Sequence, residues 1–386
     1  MLSTDLEAVE IIDSNPSPAH FFVVRGRKDI LRIKPVLVGL SLLCGQKGAA
    51  DFLEYFLTNS DGLNKIPYLL LVSSRSSEDV SELRAEDMAG AALIYEYTVM
   101  GFPSGLFSTR DFNGLRGIIA PAATRAKISA MICRYLAEHG ARVVHVTFAA
   151  ETATFCRVGF DEATEDSRNQ QRWWTVQSSE VGGSIAIGKT MDATLANIGR
   201  HTRRNLRYYR RKTEGELGCI FHDDLRGILT MALFRELNSA ATHPVTESVL
   251  KRRFAVMNSM EGSFCAGIKT GEDQLISLLG GRRHHSLTEI DWQMNRGGLS
   301  KYSIGTVTRS FLIEDEIKIG TERLSFEGGT MHTLRYSFLP QKAVDIVVRN
   351  QDPFVSLLRR FTVPLRLDKC FLFQTLANPG LKWHLR

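Results

Sequence analysis

The segment from residue 263 to residue 338 constrains the fold more than any other part of the chain. Its hydrophobic pattern predicts a definite order of elements: three strands, a helix and a further strand. TGED at 270–273 supplies the residues of a hairpin turn between two strand-like stretches. A third such stretch, around 286–293, leads to KYSIGT at 301–306, which begins a helix that Gly320 ends. A short strand follows. A meander that feeds a helix with small residues in its first turn is suited to binding a pyrophosphate, since backbone N–H groups and the helix dipole both favour the anion.

The composition is that of a folded protein with an excess of basic residues. The 386 residues are 44% hydrophobic and 23% charged, and the net charge is +6. Such a chain is long enough for two domains and suits an anionic ligand. The six cysteines are scattered, without CxxC or paired histidine spacing, so we expect reduced thiols, no metal site and a cytoplasmic location. Residues 1–19 are polar and acidic, unlike a signal peptide, and the longest apolar run, at 36–44, is too short for a transmembrane helix.

The order of elements in 263–338 resembles the second half of a GNAT-type acyltransferase domain, and more specifically the CelD-like and Fem-type families, in which two such domains occur in tandem. The segments that carry the resemblance are RHTRRNLR at 200–207, YSIGTV at 302–307, and IG at 319–320 followed by LSFEGG at 324–329. The second is similar to the family's loop for the acyl-CoA pyrophosphate, and the third to its Gly…Asp-Phe-x-x-Gly strand. One departure concerns a Tyr-Lys pair that often follows that strand, where this chain has Thr333-Leu334. It weakens the Fem-type interpretation most.

The resemblance implies an α/β protein with a mixed sheet, built from two tandem GNAT-like domains. The first half supports this, because strand-like, turn, helical and strand-like patterns recur there in a similar order: 69–73, 90–99, 101–105, 116–120, 124–139 and 141–148. The expected domains are a degenerate N-terminal GNAT-like domain at 1–180, a GNAT-like acyltransferase domain at 181–345 and a basic, apolar extension at 346–386. The best junction is the polar stretch at 178–184.

The loop before the helix is the leading site candidate. The resemblance implies that its backbone amides and hydroxyl groups bind the diphosphate of acyl-CoA, and the cofactor-binding residues would be Tyr302, Ser303, Ile304, Gly305 and Thr306. The alternative is a plain helix start, with Ser303 as the N-cap and Gly305 easing a close contact between helix and strand. The loop is not a P-loop, because no Gly-Lys-Ser/Thr is present.

The strand before this loop carries the candidate catalytic acids. Side chains alternate along a strand, which predicts Thr288, Ile290, Trp292 and Met294 on one face and Leu287, Glu289, Asp291 and Gln293 on the other. Acyl transfer to an amine or hydroxyl needs a group that takes a proton. Asp291 is the first candidate for this base and Glu289 the second, and Glu327, at the end of the following strand, is the third. The alternative for all of them is a solvated sheet face or strand end.

A helix predicted at 190–212 presents a basic stripe at Arg200, Arg204 and Arg207. This stripe is interpreted as an anion-binding surface for CoA or tRNA, or as a solvated helix face. The expected function is transfer of an acyl group from acyl-CoA to an amine or hydroxyl of a small-molecule, sugar or cell-envelope precursor. The acceptor would attack the thioester directly, and the second domain would bind the donor. The alternatives are a Fem-type transferase that uses aminoacyl-tRNA and an inactive scaffold of a biosynthetic complex.

Overall fold

The computed structural model describes residues 20–46, 52–60, 65–76, 82–99, 101–109, 116–149, 172–196, 198–260, 262–284, 286–326 and 339–350. The chain divides into two compact units. Of the described residues, the first unit contains those up to Ser179 and residues 342–350, and the second contains those from Glu180 to Gln341. The division between Ser179 and Glu180 falls within a continuous strand, Arg172–Ala186, so the stretch predicted as a junction is not an irregular linker.

The elements are numbered here in chain order. The described strands are β1 (His20–Arg25), β2 (Lys65–Ser73), β3 (Met88–Val99), β4 (Phe102–Ser108), β5 (Ile118–Ile119), β6 (Val143–Ala149), β7 (Arg172–Ala186), β8 (Ile220–His222), β9 (Ser263–Lys269), β10 (Leu275–His284), β11 (Leu287–Asn295), β12 (Arg323–Phe326) and β13 (Leu339–Asn350). The described helices are α1 (Arg27–Arg32), α2 (Lys34–Leu43), α3 (Phe52–Ser60), α4 (Arg125–Glu138), α5 (Met191–Ala196), α6 (Arg200–Leu217), α7 (Met231–Ser239), α8 (Glu247–Ser259) and α9 (Ile304–Ile319).

The first unit has a mixed sheet. β1, β2, β3 and β4 form an antiparallel meander, and β4 then pairs in parallel with β6, with α4 in the connection between them. β13 pairs antiparallel with the other side of β6. A parallel pair needs such a crossover, and α4 covers one face of the sheet through Ile128 and Ile132, while α1, α2 and α3 cover the other face.

The second unit repeats this succession of pairings. β8, β9, β10 and β11 form the antiparallel meander, β11 pairs in parallel with β12 across the α9 crossover, and β12 pairs antiparallel with β7. The predicted fold class, an α/β protein with mixed parallel and antiparallel pairing, is therefore confirmed, and the same succession of pairings occurs in both units. In each unit, the strand reached through the helical crossover has a second neighbour that is distant in sequence: β13 beside β6, and β7 beside β12.

Helices cover both faces of the second unit's sheet. Ile290 of β11 packs with Leu312 of α9 and with residues of α5 and α6. Trp292 and Met294, only two and four residues further along, pack instead with residues of α7 and α8, including Phe234. The ring centroids of Trp292 and Phe234 are 5.4 Å apart. The sheet therefore separates an α9 face from an α7/α8 face.

Residues 342–350 belong to the first unit, whereas residues up to 345 were predicted to belong to the second domain. The alternate side chains of β13 that enter the first unit's core are Val344, Ile346 and Val348. Asp345 is fully buried on the other side, where it accepts a 2.6 Å hydrogen bond from the Thr147 hydroxyl and pairs with Nε2 of His145 at 3.0 Å. Nothing local in β13 indicates which sheet it completes. Of the predicted extension, residues 351–386 lie outside the described part.

Two local predictions differ from the structure, and one helix was not predicted. The helix predicted at 190–212 is divided into α5 and α6, because Gly199 takes an extended conformation with a ψ of 145°. The turn predicted at 101–105 is confined to Gly101, which has a φ of 83°, and β4 begins at the next residue. The helix that was not predicted is α7. Thr246 caps α8, since its hydroxyl accepts from the Val249 amide.

The described cysteines, Cys44, Cys133, Cys219 and Cys265, are free thiols. Burial raises the pKa of the Cys133 and Cys265 thiols far above the ordinary value, so both are held in the unreactive protonated form. Cys156 and Cys370 lie outside the described residues. None of the helices that the structure describes combines the length and the apolar character needed to cross a lipid bilayer.

Candidate functional site

A cavity of about 270 Å³ lies in the second unit, at the N-terminal end of α9. Its lining consists of Thr242, His243, Asn295, Arg296, Gly298, Leu299, Ser300, Ser303, Ile304, Gly305, Thr306 and Arg309. The structure thus brings Ser303, Ile304, Gly305 and Thr306, four of the predicted cofactor-binding residues, to one cavity. Tyr302 does not line it. Its ring is buried in the core, and the ammonium group of Lys301 lies over that ring, 4.8 Å from its centre.

The helix start at the cavity has an unusual backbone conformation. Ser303 is the N-cap residue of α9 and has a φ of 50°, in the left-handed region that few non-glycine residues adopt. Its hydroxyl does not cap the backbone as the alternative interpretation expects, but donates to the Thr306 hydroxyl at 3.1 Å. Its carbonyl accepts from the Thr306 amide at 2.9 Å. The preceding amides, those of Ile304 and Gly305, are at helix positions that have no intrahelical acceptor, so they are available to an anion in the cavity.

α9 approaches β11 closely at Gly305. A Cβ at this position would lie 2.9 Å from Nδ2 of Asn295 and 3.4 Å from Nε2 of Gln293. The Gln293 amide group also donates to the Gly305 carbonyl at 3.0 Å. The alternative interpretation of this glycine, that it permits a close contact between helix and strand, is therefore correct. The same contact excludes a side chain from the floor of the cavity.

The lining of the cavity carries positive charge. Arg309, one turn after Gly305, is 3% exposed, and its Nε donates to Oε1 of Gln293 at 2.8 Å. Burial lowers the pKa of the Arg309 guanidinium to about 10, so it remains charged at neutral pH in a site that solvates it poorly. His243 and Arg296 also line the cavity, although Arg296 is already paired with Glu236 at 2.7 Å, and none of the described lining residues carries a carboxylate. An anion in this cavity would stabilise the buried cation.

The predicted catalytic acids Asp291 and Glu289 lie elsewhere. Both contact the guanidinium of Arg282, which is fully buried: its Nη2 is 3.0 Å from Oδ1 of Asp291 and 3.4 Å from Oε2 of Glu289. Neither acid lines the cavity. Their oxygen atoms are engaged with a buried cation, which is an unfavourable starting point for a base. Glu327, the third candidate, lies outside the described residues.

A bulge in β11 changes which side chains share a face. Gly280 pairs with Trp292 and Gly281 with Ile290, so Asp291 is an extra residue in β11. The predicted alternation is therefore wrong beyond Ile290. Thr288 and Ile290 face α9 as a pair, but Trp292 and Met294 face α7 and α8, while Gln293 and Asn295 face α9.

The arginine stripe of α6 points into solvent. Arg200, Arg204 and Arg207 are exposed, and Arg207 forms an exposed ion pair with Asp192 at 2.6 Å. They do not line the cavity. Arg210, which is not part of the predicted stripe, instead turns inward over the Phe311 ring of α9, 4.1 Å from its centre.

Sequence reasoning missed His243, Asn295, Arg296 and Arg309. The loop that carries His243 is fixed to the end of β11, because the Thr242 amide donates to the Asn295 carbonyl at 3.0 Å and the Gly297 amide donates to the Ala240 carbonyl at 2.7 Å. This contact joins residues more than 50 positions apart, and local patterns carry no signal for it. The adjacent glycines Gly280 and Gly281 in a strand interior were the available signal for the bulge.

No protein-family model matches the sequence, and no curated protein shows significant similarity to it. Several solved structures are similar in fold. FemX is 9% identical, with 72% of this chain and 88% of that chain covered and a TM-score of 0.48. A tandem GNAT protein from the clavulanic acid biosynthesis pathway is 10% identical, with 87% and 99% covered and a TM-score of 0.48. L-PGS from Bacillus licheniformis is 10% identical, with 86% and 97% covered and a TM-score of 0.45. Values of this size do not transfer a substrate or a mechanism.

Proposed function

We propose that the protein is an acyltransferase that uses acyl-CoA and binds the CoA diphosphate in the cavity at the start of α9. The observation that supports this most is the combination of two available helix N-terminal amides with the buried guanidinium of Arg309. The cavity, about 270 Å³, is smaller than the roughly 300–1,000 Å³ of sites that enclose a whole ligand. It would therefore hold the diphosphate, and the rest of CoA would extend beyond it.

The strand topology also favours a ligand site at the start of α9. β11 and β12 are parallel neighbours that pair from Leu287↔Arg323 to Ile290↔Phe326, and α9 begins just beyond the carboxyl end of β11. Ligands of α/β sheets bind at the carboxyl ends of such strands. The acceptor, an amine or hydroxyl of a small-molecule, sugar or cell-envelope precursor, would attack the thioester carbon. The C–S bond would break, CoA would leave as the thiolate, and the proton of the acceptor would pass to a base.

Binding of CoA tests this proposal directly. Native mass spectrometry and calorimetry with a panel of acyl-CoAs are expected to show binding in the micromolar range. Arg309→Met is expected to weaken binding by about tenfold or more, since charge-assisted hydrogen bonds contribute roughly 1.5–3 kcal/mol. Lys318→Met removes the same charge at the opposite end of α9 and should leave the affinity unchanged. If no acyl-CoA binds at high micromolar concentration, the proposal is wrong.

Glu327 remains our proposed proton acceptor, because Asp291 and Glu289 are engaged with Arg282 and Glu327 directly follows β12 in the sequence. Glu327→Gln is expected to lower turnover by about 10²–10⁴-fold, the usual contribution of a general base. The affinity for CoA should not change. Thiol release with the best acyl-CoA and acceptor of the panel measures the first quantity and calorimetry the second. Unaltered thiol release in this variant would remove Glu327 from the mechanism.

A transferase that uses aminoacyl-tRNA is the second candidate, and the observation that favours it is the exposed stripe of Arg200, Arg204 and Arg207. Phosphate contacts along this stripe would make tRNA binding fall steeply with salt. A tRNA gel shift at several salt concentrations, compared with the CoA titration on the same protein, separates the two candidates. A steep salt slope that Arg204→Gln reduces would favour tRNA as the donor, and a flat response would remove it.

A further inference from the structure

We propose that Asp291 is a positioning residue: its ion pair with Arg282 holds the bulge in β11, and the bulge determines which side chains reach the cavity. This inference rests on the proposed function for its ligand but on the geometry for its mechanism. It assigns to Asp291 a role different from that of a catalytic base.

The position of the bulge is fixed by two glycines of β10, Gly280 and Gly281, which lie opposite it. A Cβ on Gly280 would lie 2.3 Å from the Trp292 ring, and a Cβ on Gly281 would lie 1.8 Å from the Glu289 carbonyl oxygen. No other residue type fits opposite the extra residue. Arg282, two residues after Gly280 on the same face of β10, then reaches across to Asp291 at 3.0 Å.

The extra residue reverses the alternation of all the residues that follow it in β11. With the bulge, Gln293 and Asn295 face α9, where Gln293 bonds both Arg309 and the Gly305 carbonyl and Asn295 lines the cavity. Without it, these two amides would enter the apolar α7/α8 core, and Trp292 would face α9. The buried guanidinium of Arg309 would then lose the Gln293 amide oxygen that accepts from it.

The ion pair with Arg282 holds Asp291 itself in place. Asp291 has no pairing partner in β10, since its neighbours Ile290 and Trp292 are paired with the adjacent residues Gly281 and Gly280. Its Oδ1 accepts from Nη2 of a guanidinium that is fully buried. A charge-assisted hydrogen bond of this kind is among the stronger side-chain contacts and restricts the bulge to one conformation. Asp291 therefore acts on the cavity through Gln293 and Asn295.

Two substitutions at one position separate positioning from base catalysis. Asp291→Asn keeps an oxygen that can accept from Arg282, whereas Asp291→Ala removes it. If Asp291 is a positioning residue, Asp291→Asn should retain turnover and CoA affinity within about threefold, while Asp291→Ala should weaken CoA binding by about tenfold or more. If Asp291 is a base, both variants lose turnover and keep their affinity for CoA, which would overturn the inference.

Hydrogen exchange without ligand makes the test independent of CoA. The amides of residues 291–295 should exchange faster in Asp291→Ala than in the wild type, and at the wild-type rate in Asp291→Asn. Unchanged exchange in Asp291→Ala would overturn the inference. If the wild type binds no acyl-CoA, the proposed function is wrong, and the hydrogen-exchange comparison alone tests the positioning role of Asp291. Should Asp291→Ala fail to fold, Asp291→Asn still decides, because loss of its turnover with retained CoA binding contradicts a positioning role.

Discussion

Replacing Arg282 with methionine is expected to lower the free energy of unfolding by about 3–5 kcal/mol, the range found when one partner of a buried ion pair is removed. The guanidinium is fully buried and contacts both Glu289 and Asp291. Its loss would leave two carboxylates in a site that is nearly inaccessible to water. Urea denaturation followed by circular dichroism measures the change.

Two controls identify the cause of that loss. Adding Glu289→Gln and Asp291→Asn to Arg282→Met removes the uncompensated charges and should recover a large part of the stability. Arg235→Met breaks an ion pair with Glu247, 2.6 Å long but exposed, and should leave the unfolding curve nearly unchanged, because exposed pairs contribute little. If Arg282→Met and Arg235→Met unfold at the same urea concentration, the buried cluster does not stabilise the protein as we infer.

Replacing Gly305 with valine is expected to lower the affinity for CoA by about 100-fold or more, which abolishes binding in practice. The substitution disturbs several contacts at once, each worth roughly 1 kcal/mol or more. The new Cβ would lie 2.9 Å from Nδ2 of Asn295, and the branched methyl groups would press further on β11 or fill the cavity. Gly305→Ala adds only the Cβ and should show a smaller loss. Calorimetric titration with CoA gives the affinities, and circular dichroism reports whether the fold is kept.

The matched control lies in the first unit. Ala122 is exposed in the turn before α4, the position that corresponds in chain order to the loop before α9. Pro121 removes an N–H from that turn, and no glycine follows it to permit close approach of a ligand. Ala122→Val should therefore leave CoA binding nearly unchanged. A silent Gly305→Val together with a damaging Ala122→Val would mean that the donor is bound by the first unit.

Local chemistry was sufficient to predict the frame of the second unit. The hairpin turn, the start of α9 at Ile304 and its end at Gly320, which has a φ of 87°, each depend on a few adjacent residues. The repetition of that order in the first unit was also predictable, although β4 was missed. Its first residues, FPSG, have the composition of a turn but continue as strand once β3 supplies a partner.

The parts that could not be predicted depend on contacts between distant residues. The extra residue at Asp291 is visible only when β10 and β11 are aligned, and its effect is to move Gln293 and Asn295 to the α9 face. The loop with His243 joins the cavity through hydrogen bonds to the end of β11. The charged pair that anchors Asp291 also required the structure, since the sequence presents both acids as equivalent members of one strand face.

The placement of β13 has a consequence for how the protein is made. β6 leaves the ribosome long before its partner: His145 and Asp345, which pair across the two strands, are 200 positions apart. At a translation rate of roughly 5–20 residues per second, one edge of β6 remains unpaired for on the order of 10–40 seconds before β13 is synthesised. During that time an unpaired strand edge with a valine-rich sequence is open to association with other chains. A nascent chain released before residue 339 should therefore aggregate or be held by chaperones, and the rate of synthesis of the second unit sets how long the first is exposed to this risk.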